Sequence, residues 1–147
     1  MSKIAIIGGT GFENPSILKN SREIVVDTPY GNPSSTFKTG LIEGTDVVLL
    51  SRHGRDHSIP PTQVNNKANI WAIRELGCTH ILATTACGSL REEIKRGDLV
   101  ILDQFIDFTR HRGVTFFDHF ESNTLQHTPM ADPFDQVLRS KLIQKAT

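Results

Sequence analysis

Three short apolar runs each stop at a glycine-bearing loop rich in hydrogen-bond donors, and this pattern does most to limit how the chain can fold. Residues 3–7 run into Gly8-Gly9-Thr10-Gly11, residues 46–51 into Arg52-His53-Gly54-Arg55, and residues 80–86 into Cys87-Gly88-Ser89. Apolar runs of this length between turn signals read as buried strands. In α/β sheets, ligands gather at the carboxyl ends of strands. Glycine lets backbone N–H groups come close to an anion. The neighbouring side chains of Thr10, Arg52, His53, Arg55, Thr84, Thr85 and Ser89 are hydroxyl and cationic donors. Three such loops converging on one sheet predict a site for a small anion, inorganic phosphate rather than a long phosphate chain.

The rest of the chain supplies elements for such a sheet. Residues 22–27 and 35–42 read as strands on either side of the turn-rich Thr28-Pro29-Tyr30-Gly31-Asn32-Pro33. After Pro60-Pro61, Thr62 is placed to cap a helix that runs through Leu76 and is closed by Gly77. Val64, Ala68, Trp71, Ala72 and Leu76 would form its apolar face. Ser89 and Glu92 have the spacing of a capping box. Residues 99–108 read as one or two further strands and residues 109–131 as an irregular loop. A last helix is expected from Asp132-Pro133, with Phe134, Val137, Leu138, Leu142 and Ala146 on one face. Strands alternating with helices predict an α/β fold, a mixed sheet flanked by helices. At 147 residues the chain suffices for one domain with a sizeable core.

Bulk properties narrow the partners. Sixteen Lys and Arg balance sixteen Asp and Glu, so nucleic acid and anionic membranes gain no electrostatic support. No apolar stretch approaches the roughly 20 residues that span a bilayer, and the run after Met1 is too short for a signal peptide. Cys78 and Cys87 match no metal or redox spacing. They read as reduced thiols of a cytoplasmic protein.

Competing readings of the loops are weaker. Gly8-Gly9-Thr10-Gly11-Phe12 resembles the opening of a nicotinamide dinucleotide fold, but Asn14-Pro15 stands where the third glycine and the helix should be. His53 and His57 have the i, i+4 spacing of a zinc-binding helix, yet Gly54 and Ser58-Ile59-Pro60-Pro61 argue against a helix there. His111, His119 and His127, with Asp107 and Asp118, have no recognisable metal-ligand spacing, and no metal is expected.

Taken together, the loops carry a family resemblance. Ile6-Ile7-Gly8-Gly9-Thr10-Gly11, Val26-Asp27-Thr28-Pro29-Tyr30-Gly31 and Arg52-His53-Gly54-Arg55-Asp56-His57 resemble the methylthioadenosine phosphorylases of the trimeric purine nucleoside phosphorylase family. So do Val64-Asn65-Asn66-Lys67-Ala68-Asn69-Ile70-Trp71-Ala72, Thr84-Thr85-Ala86-Cys87-Gly88-Ser89-Leu90-Arg91, the segment 97–107, and His127-Thr128-Pro129-Met130-Ala131-Asp132-Pro133-Phe134. The resemblance covers nearly the whole chain in order, and the motifs are specific jointly rather than singly.

The resemblance implies a nucleoside phosphorylase-like fold and phosphorolysis of 5′-methylthioadenosine, or a related purine nucleoside, to free base and a ribose 1-phosphate. Inorganic phosphate is then the co-substrate and no further cofactor is needed. Carried over by motif, the phosphate ligands are Thr10, Arg52, His53, Thr85 and the backbone N–H of Ala86. His57 becomes the catalytic candidate, supporting the phosphate and sugar. His127 resembles a residue that reaches a neighbouring subunit's site in a homotrimer, near the sugar's 5′ substituent. The chemistry asks for positioning and electrostatics. Arg52 offers a fixed cationic fork, and Cys87 is not needed as a nucleophile.

Family members are nearly twice this length. The sequence is therefore expected to be the amino-terminal part of a single phosphorylase domain, residues 1–147, with the groups that read the purine base lying elsewhere. A poor catalyst on its own, or a non-catalytic phosphate- or nucleoside-binding fragment, follows as the alternative.

Overall fold

Four consecutive apolar residues, Val47 to Leu50, are buried on a strand that has a partner on each side. The computed structural model describes residues 2–9 and 16–146, so Thr10, the first of the expected phosphate ligands, lies outside the described residues. Five strands, β1 (Lys3–Gly8), β2 (Lys19–Ile24), β3 (Phe37–Ile42), β4 (Thr45–Ser51) and β5 (His80–Ala83), form one sheet in the order β2-β3-β4-β1-β5. β1 lies parallel to both β4 and β5, whereas β2-β3 and β3-β4 are antiparallel. With helices α1 (Asn66–Glu75) and α2 (Gln136–Ala146), this is the mixed α/β architecture read from the sequence. The chain divides into two compact units, Met1–Cys87 and Gly88–Thr147.

In Met1–Cys87, alternate residues of β4 serve opposite faces of the sheet. Val48 and Leu50 pack with Ala5, Ile7 and Phe37, and with Ala72 and Ile73 of α1. Val47 and Leu49 pack with Leu18, beside Ile6 and Ile42. A strand covered on both faces needs this continuous apolar run. Glu43 and Gly44 join β3 to β4 with φ of 47° and 81°. Positive φ at both central residues is the type I′ requirement, and its twist matches that of the flanking strands. β2, at the sheet edge, exposes Lys19, Arg22 and Glu23, charges that discourage edge-to-edge pairing.

Several boundaries differ from the sequence reading, each for a tertiary reason. β5 ends at Ala83 rather than residue 86, because its partner β1 supplies register only as far as Ile7 opposite Ala83. Residues 84–86 are thereby released as loop. β2 spans 19–24 rather than 22–27, since its ladder with β3 closes at Ile24 opposite Phe37. Thr62 does not cap the helix: Pro61–Gln63 forms a 3₁₀ turn, and Asn65 caps α1, its side chain accepting from the Ala68 N–H at 3.1 Å. At the other end Gly77, with φ 76°, does close the helix. Its N–H donates to Arg74 and the Cys78 N–H to Ile73, the paired bonds of a Schellman motif. Trp71 is only half-buried, and Asn69 rather than Trp71 joins Ala68, Ala72 and Ile73 as the buried set of α1.

In Gly88–Thr147, α2 begins at Gln136 rather than near Asp132. Asp135 is its cap, accepting from the Leu138 N–H at 2.6 Å. Arg139 donates to the Leu102 carbonyl at 2.9 Å and faces Asp103, and Phe105 meets Phe134 edge-on at 6.1 Å. Residues 99–108 form no strand: an apolar run without a ladder partner satisfies no backbone groups by being extended. Ser89 and Glu92 form no capping box, since Ser89 Oγ accepts from the Arg91 N–H at 3.0 Å and donates to the Arg91 carbonyl. Residues 109–131 are irregular, as expected. Among the described residues no helix is long and apolar enough to cross a membrane.

Candidate functional site

The register of the three parallel strands brings their carboxyl ends level. Gly8 pairs with Ser51, and Ile7 pairs with both Leu50 and Ala83. The next residues continue the ladder briefly. The Arg52 N–H donates to the Gly8 carbonyl at 2.9 Å and the Thr84 N–H to the Ile7 carbonyl at 3.0 Å. Gly9, Arg52 and Thr84 therefore leave the sheet side by side.

The Arg52 side chain bridges these three strand ends. Its Nη1 donates to the Thr84 carbonyl at 2.8 Å. A Cβ on Gly9 would stand 2.7 Å from Arg52 Nη2, so glycine is required for this approach. Of the five N–H groups of a guanidinium, the bonds to Thr84 and His53 engage two. Among the described residues the other three are left for an anion. Thr84 contributes its carbonyl as an anchor for Arg52, a use that a reading of side-chain donors does not find.

The loop after β4 is closed by a reciprocal pair. The Ile59 N–H donates to the His53 carbonyl at 3.0 Å, and His53 Nδ1 donates to the Ile59 carbonyl at 2.9 Å. Gly54 turns the chain with φ 79°. His57 has φ 51°, in the left-handed region that non-glycine residues enter at a cost. Its ring stacks on that of His53, with centroids 5.7 Å apart. His53 and His57 thus meet in a loop and not on a zinc-binding helix. Arg55, counted among the anion donors from sequence, instead makes a two-pronged pair with Glu23 of β2, at 2.5 and 3.3 Å. The hydrogen bonds from Arg55 hold the Glu23 carboxyl below its ordinary range; desolvation opposes them, while the Arg55 charge and the Thr36 hydroxyl add to the lowering.

Behind the loop lies a buried polar pair that the apolar-periodicity reading missed. Asn69, 2 % exposed, accepts from the Ser34 N–H at 2.8 Å and donates to Ser34 Oγ at 2.9 Å. The adjoining Ser35 Oγ accepts from the Ser51 N–H at 3.2 Å, one residue before Arg52. An asparagine among apolar helix positions was the available signal.

Thr85 and Ala86 lie in the exposed loop directly after Thr84. His127 lies in the exposed irregular segment of Gly88–Thr147. Ser89 is engaged within its own turn. Both cysteines are free, and burial raises the Cys78 thiol above its ordinary value. Among the described residues no three His, Cys, Asp or Glu side chains gather as a metal site. Among the described residues the next strand after β1 is β2, an edge strand antiparallel to its neighbour, which is not the parallel return of the βαβ unit in the nicotinamide reading.

Comparison with known proteins agrees with this fold. The chain is 53 % identical over 146 residues to an S-methyl-5′-thioadenosine phosphorylase from Danio rerio, covering 98 % of this chain and 52 % of that protein. It is 55 % identical over 147 residues to the Xenopus tropicalis protein of the same name, with 98 % and 52 % covered. A methylthioadenosine phosphorylase structure from Schistosoma mansoni in complex with tubercidin superposes with a TM-score of 0.90 at 47 % identity, covering 99 % of this chain and 52 % of that one. The chain spans about half the length of these relatives. Residues 3–147 match the family model of the phosphorylase superfamily, and the chain belongs to that family.

Proposed function

We propose that this chain carries the phosphate-binding part of a nucleoside phosphorylase acting on 5′-methylthioadenosine or a closely related purine nucleoside. The observation that carries the reading is Arg52, fixed by the Thr84 carbonyl across the ends of β1, β4 and β5, with three N–H groups not engaged by any described residue. Phosphate held there stands ready to stabilise the oxocarbenium-like sugar formed as the glycosidic bond breaks, and then to attack it. Thr10, Thr85 and the Ala86 N–H complete the phosphate shell, and His57 supports phosphate and sugar from its stack on His53. The products are free purine and a (methylthio)ribose 1-phosphate, within purine and methionine salvage, with phosphate as co-substrate and no other cofactor. The names of the relatives support the methylthio substrate. The sequence resemblance supports a homotrimer in which His127 serves a neighbouring site, and the free thiols suit a cytoplasmic setting.

Incubation with methylthioadenosine, with and without phosphate, tests the reaction by chromatography of the free base. Base release that requires phosphate supports the proposal. A companion calorimetric titration with inorganic phosphate tests the site itself: Arg52→Ala should lose about 1.5–3 kcal/mol of phosphate affinity, the scale of a charge-assisted hydrogen bond. Equal binding by parent and variant removes the site.

A further inference from the structure

The last residue of β4 is held by a side chain at the point where its neighbour strand has run out. The ladder between β3 and β4 pairs Lys38 with Leu49. β3 begins at Phe37, while β4 continues to Ser51. Successive N–H groups of a strand point to opposite edges. The Arg52 N–H turns toward β1 and donates to the Gly8 carbonyl at 2.9 Å, so the Ser51 N–H faces the side of β3. There it donates to Ser35 Oγ at 3.2 Å. The Ser35 hydroxyl stands in for the carbonyl that a longer β3 would have offered.

Ser35 is itself anchored. Its one hydrogen goes to the Thr36 carbonyl at 2.8 Å, which leaves the oxygen turned to accept. Ser34, just before it, is fastened to α1 by the two bonds to Asn69. On the β4 side, the peptide that joins Ser51 to Arg52 is held at both its polar atoms. The Gly54 N–H donates to the Ser51 carbonyl at 3.2 Å, and the Arg52 N–H donates to Gly8. Of these three bonds around the base of Arg52, only the one to Ser35 involves a side chain.

The guanidinium at the far end has little room for error. It reaches the Thr84 carbonyl at 2.8 Å and passes Gly9 so closely that a Cβ there would stand 2.7 Å from Nη2. A long side chain magnifies any tilt of its own peptide, and a binding site is only as good as the groups that hold its donors in place. We propose that Ser35 is a positioning residue of the anion site: its hydroxyl fixes the end of β4 and thereby aims Arg52. It acts through Arg52 and needs no contact with the anion. Asn69 and Ser34 keep the segment docked on α1, and Ser35 Oγ passes that hold to the strand end.

The inference rests on the phosphate reading above and fails separately from it. Calorimetric titration of the 147-residue chain with inorganic phosphate, well below the melting temperature of each variant, reads affinity apart from stability. Ser35→Ala should bind phosphate about three- to tenfold more weakly, within the worth of one neutral hydrogen bond. Ser35→Thr, which keeps the hydroxyl, should bind like the parent. Ser34→Ala removes a neighbouring buried hydroxyl but leaves the Ser34 N–H on Asn69, so it should lower the melting temperature with phosphate affinity unchanged. Parent-like binding by Ser35→Ala overturns the inference and leaves the phosphate site standing. Losses in Ser34→Ala or Ser35→Thr equal to that in Ser35→Ala do the same. If Ser35→Ala does not fold, amide hydrogen exchange of the parent decides. A Ser51 N–H as slow as its β4 neighbours supports the hold, and one as fast as exposed Thr85 and Ala86 overturns it. Absence of phosphate binding by the parent removes the proposed function and this inference together.

Discussion

Arg52 and Asn69 are both polar residues placed among apolar elements, and they do opposite things. Arg52, at the strand ends, keeps donors that no described residue engages, whereas Asn69 uses its amide wholly inside the fold. Asn69→Ala leaves the Ser34 N–H and Oγ buried without their partner, so stability should fall by about 1–3 kcal/mol. Denaturant titration measures this, and an unchanged midpoint would show that water replaces the amide. Glu23 acts through charge. Its carboxyl is held below the ordinary 4.5 first by the Arg55 hydrogen bonds. The sign follows from linkage: the pair contributes fully above the unfolded value and is lost as pH falls through the lowered folded one. Carbon-13 NMR of the Glu23 carboxyl should find its midpoint on the acid side of 4.5. Arg55→Ala should move it back, and no movement would assign the shift to another group. Being exposed, the pair orders the loop more than it stabilises the fold.

At the scale of elements, two glycines sort function from folding. A methyl on Gly9 crowds the far end of the Arg52 side chain, at 2.7 Å, and stands at an ordinary 3.6 Å from the Thr84 carbonyl. Gly9→Ala should therefore fold normally while displacing Arg52 and weakening phosphate binding. A methyl on Gly40 in β3 meets the Lys19 carbonyl at 2.6 Å and Leu18 Cγ at 2.8 Å. Backbone cannot swing aside, so Gly40→Ala should cost about 1–3 kcal/mol of stability. Thermal melts paired with phosphate titrations distinguish the two variants; equal melting losses would contradict this division. These elements also mark how far the sequence could be read. The apolar runs of β1 and β4, and Gly77 after α1, carry their structure locally, and their positions followed from composition and turn chemistry. Arg52 and His53 were legible because they directly follow such a strand. The end of β5, the placement of β2 and the exclusion of 99–108 from the sheet depend on where a partner strand starts or stops, which the segment itself does not encode. Arg55 was misassigned for the same reason: Glu23 lies on a strand 32 residues away.

At the scale of the whole molecule, burial is unevenly shared. Among the described residues, all the buried apolar side chains lie between Ala5 and Ile73, and Gly88–Thr147 contains none. Backbone hydrogen bonds open most readily where few apolar contacts cover them. Amide hydrogen exchange of the chain should accordingly show the slowest protons in β1, β3 and β4, with residues 88–131 exchanging early. Uniform protection along the chain would show that the second unit is stabilised by something other than its own packing.

The strand order has a consequence in time. β1 precedes the other four strands in the chain, yet it sits between β4 and β5, and its ladder partners lie at 46–51 and 80–83. During synthesis at roughly 5–20 residues per second, the first strand waits several seconds before its second neighbour exists. Until β4 is made Ile4, Ile6 and Ile7 are an unpaired apolar ribbon, and Thr84 follows Arg52 only after a further 32 residues. The three strand ends become level only once residue 84 has left the ribosome.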